Sequence, residues 1–136
     1  MRIVMDTNVV LTAVFFGGPS RRLVDFVVRG KVAAYATWEI VAEYEAAVAR
    51  IASKNGGGLR PNLLLPLTTC LHMVETKPKP ALCRFPADDR FLSCAMDARA
   101  NYIVIGFKEL YLRNPGKRVP MMTVEGISQL LKLCKV

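Results

Sequence analysis

The chain has 136 residues, 52% of them hydrophobic, at a mean hydropathy of +0.27, which provides for one sizeable core and excludes general disorder. Its apolar runs are short and broken by charges, so no membrane-spanning helix is expected. Nineteen lysines and arginines against eleven acids leave +8, a balance that favours a polyanionic partner, nucleic acid first and an acidic protein second.

Arg2–Asp6 opens the chain as a strand, an apolar run closed by an acid. Gly17-Gly18-Pro19 interrupts before Ser20, which reads as the cap of a helix over Ser20–Arg29. Val32–Thr37 is the second strand. Thr37 precedes a helix over Trp38–Ser53 whose apolar stripe is Ile40, Val41, Tyr44, Val48 and Ile51, with Trp38 expected to pack beside the helix start. Asn55-Gly56-Gly57-Gly58 ends that helix, a further helix follows over about Asn62–Leu71, and a third strand over His72–Thr76. Lys77-Pro78-Lys79-Pro80 is extended, because a residue before proline is pushed away from helix. A helix over Asp88–Ala100 leads into a fourth strand, Tyr102–Gly106. Asn114-Pro115-Gly116 is a turn before the last strand, Val119–Thr123, and the last helix, Val124–Cys134.

Strands alternating with helices of this length imply βαβ units and a parallel sheet covered on both faces. Right-handed crossovers then give an α/β fold, a three-layer α/β/α sandwich with a central parallel sheet of about five strands, and the order 3-2-1-4-5 is the expectation. Residues 1–136 are expected to form a single domain. No basic region, apolar core and small-residue cleavage site stand at the amino terminus, so the expected address is the cytoplasm. The four cysteines, Cys70, Cys83, Cys94 and Cys134, form no C-x-x-C pair, and with a single histidine, His72, they make no zinc pattern. Reduced, mostly buried thiols and a structural histidine are the expectation.

Three acids are placed to converge. Asp6 ends the first strand, at the edge where open α/β sheets collect ligands. Glu43 borders the buried stripe of the helix after the second strand, and Asp88 opens the helix that leads into the fourth. Carboxylates gathered together repel one another, so such a site calls for a hard cation, and oxygen donors without His or Cys suit Mg²⁺ or Mn²⁺. Each acid also has a plainer role open to it. Asp88 and Asp89 can cap a helix, Glu43 can be solvated beside Glu39, and Asp6-Thr7-Asn8 can satisfy a turn.

These blocks, in this order, resemble the PIN-domain family, whose members are mostly magnesium- or manganese-dependent ribonucleases. Met5-Asp6-Thr7-Asn8-Val9 resembles its amino-terminal acid motif, and Thr37-Trp38-Glu39-Ile40-Val41-Ala42-Glu43-Tyr44 its second block, which carries the ligand role to Glu43. Cys83-Arg84-Phe85-Pro86-Ala87-Asp88-Asp89-Arg90-Phe91-Leu92 resembles the third, and the spacing to Ala95 selects Asp88 over Asp89. Ala100–Gly106 with Lys108-Glu109-Leu110, and then Val119–Glu125, resemble the closing blocks. The sequence departs where the family commonly has an aspartate after the glycine of the fourth block. Phe107 stands there, and Phe85 and Ala87 replace frequent acids. Glu109 aligns with a further acidic position.

The resemblance implies a metal-dependent ribonuclease that hydrolyses single-stranded RNA, with Asp6, Glu43 and Asp88 as catalytic metal ligands. Asp89 and Glu109 are further candidates. Thr7, Asn8, Arg84, Arg90 and Lys108 are candidate substrate contacts, with Arg21, Arg22 and the turn from Arg113 to Arg118 for phosphate and Tyr111 for base stacking. The branch resembled holds toxins of toxin–antitoxin modules, which implies a small antitoxin partner and a homodimer. Loss of the fourth aspartate implies slow turnover and a high metal requirement. It also leaves open a PIN fold kept for RNA or protein association with impaired catalysis. A phospho-acceptor signalling domain ranks behind both, since no acidic pair stands near the first strand and no acceptor aspartate ends the third.

Overall fold

Ile3, Val4 and Met5 are all buried in β1 (Arg2–Met5), so both faces of this strand are covered. The computed structural model describes residues 1–54, 63–77, 86–106 and 119–133, leaving aside the side chains of 86–88 and 133. β1 is the centre of a five-stranded sheet with β2 (Ala33–Ala36), β3 (His72–Met73), β4 (Tyr102–Ile105) and β5 (Met121–Thr123). Every pairing is parallel and the order is β3-β2-β1-β4-β5, as the alternating pattern predicts. β3 is shorter than expected. It pairs only His72 and Met73, both exposed, and Val74 adds one last bond to the carbonyl of Ala36 at 2.9 Å. A short edge strand of this kind offers little for another chain to pair with.

The described helices are α1 (Thr7–Phe15), α2 (Gly18–Val28), α3 (Trp38–Lys54), α4 (Leu64–Cys70), α5 (Pro86–Ala98) and α6 (Val124–Leu133). α1 stands where no helix is expected from sequence. Thr7, Val9, Val10, Thr12 and Val14 are β-branched and only modest helix formers. Burial decides the matter: Val9, Val10, Ala13 and Val14 recur at helical spacing on one buried side, packed against α2 and α3. α2 begins at Gly18 rather than at a Ser20 cap. Gly17 takes the capping position at φ +83°, and Ser20 is buried inside the helix. Arg21, a candidate for phosphate, instead donates to the carbonyls of Ala13 and Val14 at 2.9 and 3.0 Å and satisfies the open end of α1.

In α3 the hydroxyl of Thr37 accepts the N–H of Ile40 at 3.2 Å, so Thr37 acts as the cap. Ile40, Val41, Tyr44, Ala47 and Val48 are buried. Trp38 does not pack beside the helix start but is 71% exposed. At about 100° per residue it lies roughly 200° from Ile40, on the side turned away from the stripe. α5 crosses β1, β2 and β4, α6 covers β4 and β5, and α2 packs against α4 and α6, which gives the α/β/α layering. No helix among the described residues is long and apolar enough to cross a membrane.

Candidate active site

The backbone of Asp6 belongs to two elements. Its N–H donates to the carbonyl of Val104 at 2.9 Å, extending the β1–β4 ladder, and its carbonyl accepts the N–H of Val9 at 3.1 Å, starting α1. It is thus the N-cap of α1, in extended conformation at φ −64°, ψ 152°. Aspartate is among the best capping residues, yet here the side chain makes no capping bond. The residue lines a pocket at the carboxyl end of the central strand, with Oδ2 sealed from solvent.

Glu43 reaches the same pocket from α3 and is held at both oxygens. The hydroxyl of Thr7 donates to Oε2, and the guanidinium of Arg90 donates to Oε1 at 2.8 Å. Its neighbour Tyr44 is fully buried and donates its hydroxyl to the carbonyl of Met5 at 2.5 Å. Burial first, then the charges of Asp6, Cys94 and Glu43, hold the Tyr44 proton well above the ordinary phenol range. Tyr44 is therefore a neutral donor beneath two carboxylates.

The pocket encloses about 360 Å³. Asp6, Thr7, Asn8 and Leu11 form one wall, Glu43, Ala46, Ala47 and Arg50 of α3 the other, and Phe91 of α5 closes it. Gly106, at the end of β4, comes close enough to Asn8 that a Cβ there would sit 3.7 Å from the Asn8 Cβ, so the fourth strand also ends at this rim. A second depression of about 130 Å³ lies between α2 and α6 and shares no residue with the first. It is lined by Leu23, Phe26, Ser128 and Leu131 with Arg22 and Lys132, and holds no acid.

The candidates from sequence thus separate. Asp6, Thr7, Asn8 and Glu43 line one pocket, while Arg90 contacts Glu43. Asp88 is in the first turn of α5, two residues before Arg90 and three before Phe91; its side chain lies outside the description. Asp89 is half-buried on α5 and does not line the pocket. Arg84, Phe107, Lys108, Glu109, Tyr111 and the run from Arg113 to Arg118 lie outside the described residues, as do Cys83 and Cys134. Among the described residues neither Cys70, half-buried, nor Cys94, buried, is in a disulfide, and His72 stacks on Tyr35 with ring centroids 5.0 Å apart.

Two contributors escape a reading by motif. Arg50 is seven residues after Glu43, hence on the same face of α3, and that spacing could have revealed it. The Tyr44–Met5 bond was foreshadowed only by a tyrosine in a buried stripe, where its hydroxyl needs a partner.

Among the described residues, no group of three or more His, Cys, Asp or Glu side chains is gathered in one place. What does converge is chemically uniform: carboxylates of Asp6 and Glu43, the hydroxyl of Thr7 and the amide of Asn8, all oxygen donors. This donor set fits a hard divalent cation and does not fit a thiolate- or imidazole-loving one.

Neither the curated proteins nor the solved structures contain a match to the chain. A family model does match it, that of the PIN domain, over residues 2–106, from the first strand to the end of the fourth. PIN domains are generally nucleases and generally use divalent metal ions. With the parallel sheet in the order 3-2-1-4-5 and the acid at the end of its central strand, the chain belongs to the PIN-domain family.

Proposed function

We propose that residues 1–136 act as a single-domain, metal-dependent endoribonuclease that hydrolyses phosphodiester bonds of single-stranded RNA. The observation that carries this reading is the sharing of one pocket by Asp6 and Glu43, at the carboxyl end of the central strand. Asp6, Glu43 and Asp88 are the residues we assign to hold Mg²⁺ or Mn²⁺, with Asp89 and Glu109 as further acids within the family pattern. Held by these acids, such an ion would lower the pKa of a bound water and offset charge at the phosphate.

The chain's own residues have separable tasks in this account. Asp6 contributes a negative charge fixed by the sheet, because its backbone is bonded to both β4 and α1. Thr7 orients Glu43 by its hydroxyl bond to Oε2. Asn8, exposed at the pocket rim, supplies an amide donor for a phosphate oxygen. Arg50 supplies positive charge at the far end of the α3 wall. Arg84 and Lys108 are assigned to phosphate from sequence, where their contacts would give affinity without base recognition. Phe91 and Leu11 make part of the wall apolar, which excludes water from the acids.

The family resemblance supports a role as the toxin of a toxin–antitoxin pair, acting in the cytoplasm on cellular RNA, forming a homodimer and bound by a small antitoxin. A second reading is a PIN fold kept for RNA or protein association. It is favoured by one observation: both oxygens of Glu43 already have protein partners. Thermal melting against Mn²⁺ separates the two. The enzyme reading expects Mn²⁺ at millimolar concentration to raise the melting temperature of the wild type, and to raise that of Asp6→Asn and Glu43→Gln much less. Equal shifts in all three would place metal binding elsewhere and remove the basis for catalysis at this pocket.

A further inference from the structure

We propose that Arg90 is a built-in rival to the divalent cation, a positioning residue whose guanidinium holds Glu43 until metal displaces it and so sets the concentration at which the site fills. This rests on the metal-site reading above and adds what that reading lacks, a cause for a high metal requirement lying in a described residue. Arg90 donates to Oε1 of Glu43 at 2.8 Å, while Thr7 holds Oε2. Glu43 therefore presents no oxygen that is not already engaged, and one of its two partners carries a full positive charge. An incoming cation must either break that pair or share Glu43 with a neighbouring charge of its own sign, and either course weakens binding.

Two details favour displacement over a permanent tie. The contact is made through one guanidinium nitrogen and one carboxylate oxygen, without the paired geometry that makes arginine–carboxylate links strong. The two side chains are 34% and 30% exposed, so Arg90 can turn toward water without leaving a buried charge behind. Arg90 and Asp88 stand two residues apart on α5, so the helix that carries an acid assigned to the metal also carries the competitor.

The opposite possibility is that Arg90 merely preorganises Glu43 for the metal, and it makes the opposite prediction. Apparent Mn²⁺ affinity is measured by loss of the free-ion electron paramagnetic resonance signal, with no RNA present. Arg90→Gln is expected to bind Mn²⁺ about fivefold tighter than the wild type, the scale of losing one partly exposed ion pair. Arg90→Met must behave as Arg90→Gln does, and Arg90→Lys must return toward the wild-type value. In a Glu43→Gln background the substitution of Arg90 must have no effect. In chelator, Arg90→Gln melts slightly below the wild type, and its gain on adding Mn²⁺ is the larger. Unchanged or weaker binding by Arg90→Gln, or a gain that persists without Glu43, overturns the rivalry while leaving the metal site standing. Absence of Mn²⁺ binding at millimolar concentration in the wild type and every variant overturns both.

Discussion

The hydroxyl of Tyr44 donates to the carbonyl of Met5 at 2.5 Å, joining α3 to the last residue of β1. Glu43 comes just before Tyr44 and Asp6 just after Met5. One buried bond therefore fixes how the helix carrying one carboxylate sits against the strand carrying the other. The sheet holds Asp6 through Val104, and the Thr7 hydroxyl then tethers the tip of Glu43. Backbone register, buried anchor and side-chain tether act on the same two acids.

Tyr44→Phe removes the anchor without changing the shape of the core. A cost of about 1–2 kcal/mol is expected, as for one buried hydrogen bond whose acceptor stays behind. The pH dependence has a definite sign. The folded phenol holds its proton well above the ordinary range, so its contribution is constant below about pH 10 and is lost as the unfolded chain ionises above that. Urea melts of both proteins at neutral and strongly alkaline pH check this: the wild type should lose more stability on going alkaline. Equal losses would mean that Tyr44 is not the neutral, buried donor described.

Thr7→Val keeps the β-branched shape and deletes the hydroxyl that holds Glu43. RNA cleavage should fall about tenfold or more, in line with misplacement of a catalytic group, while the melting temperature moves little. Thr7→Ser restores the donor and most of the activity. A Thr7→Val protein as active as wild type would show that Glu43 needs no tether. Single-turnover cleavage with Mn²⁺ in excess is the appropriate assay.

Two helix ends supply a matched pair. After α2, Gly30 sits at φ +76° and its N–H bonds to Val27, with Lys31 bonding to Phe26. After α5, Arg99 occupies the same place at φ +54°, with Arg99 bonding to Met96 and Ala100 to Ala95. This left-handed capping position favours glycine, so Arg99→Gly should stabilise by about 0.5–1 kcal/mol and Gly30→Ala should destabilise by a similar amount. Denaturant midpoints measure both, and a change of the same sign in the two variants would contradict the shared geometry.

Trp38 is the single tryptophan of the chain, so its fluorescence reports one place. At 71% exposure the indole should emit as a hydrated ring in the native protein and be freely quenched by acrylamide. A blue-shifted, protected emission would return it to the packed position expected from sequence.

The parts of this fold legible in the sequence are those in which local pattern and global packing agree. β1, β2, β4 and β5 read directly as apolar runs, and their alternation with helices implies the parallel sheet, whose expected order is the one observed. α1 was hidden because its valines and threonines prefer strands when considered locally, and only burial against α2 and α3 makes them helical. At the site, Asp6 is visible as an acid closing an apolar run, and Glu43 as an acid on the border of a stripe. The contacts that give those acids their properties are not visible in this way. Tyr44 finds Met5 across 39 residues and Arg90 finds Glu43 across 47, separations at which no spacing rule operates. Family motifs narrow the choice of acids, yet Arg90 stood in the third block as a phosphate candidate and in the structure pairs with an acid of the second.

The central claim is that Asp6, held at the end of β1, is indispensable to hydrolysis of RNA. End-labelled, unstructured RNA incubated with Mn²⁺ and either the wild type or Asp6→Asn, purified side by side, tests it most directly. Metal-dependent fragments are expected from the wild type, abolished by chelator, with a rate lower by at least about a hundredfold in Asp6→Asn, as befits loss of an acid proposed to hold the metal. Equal cleavage by the two proteins would contradict it.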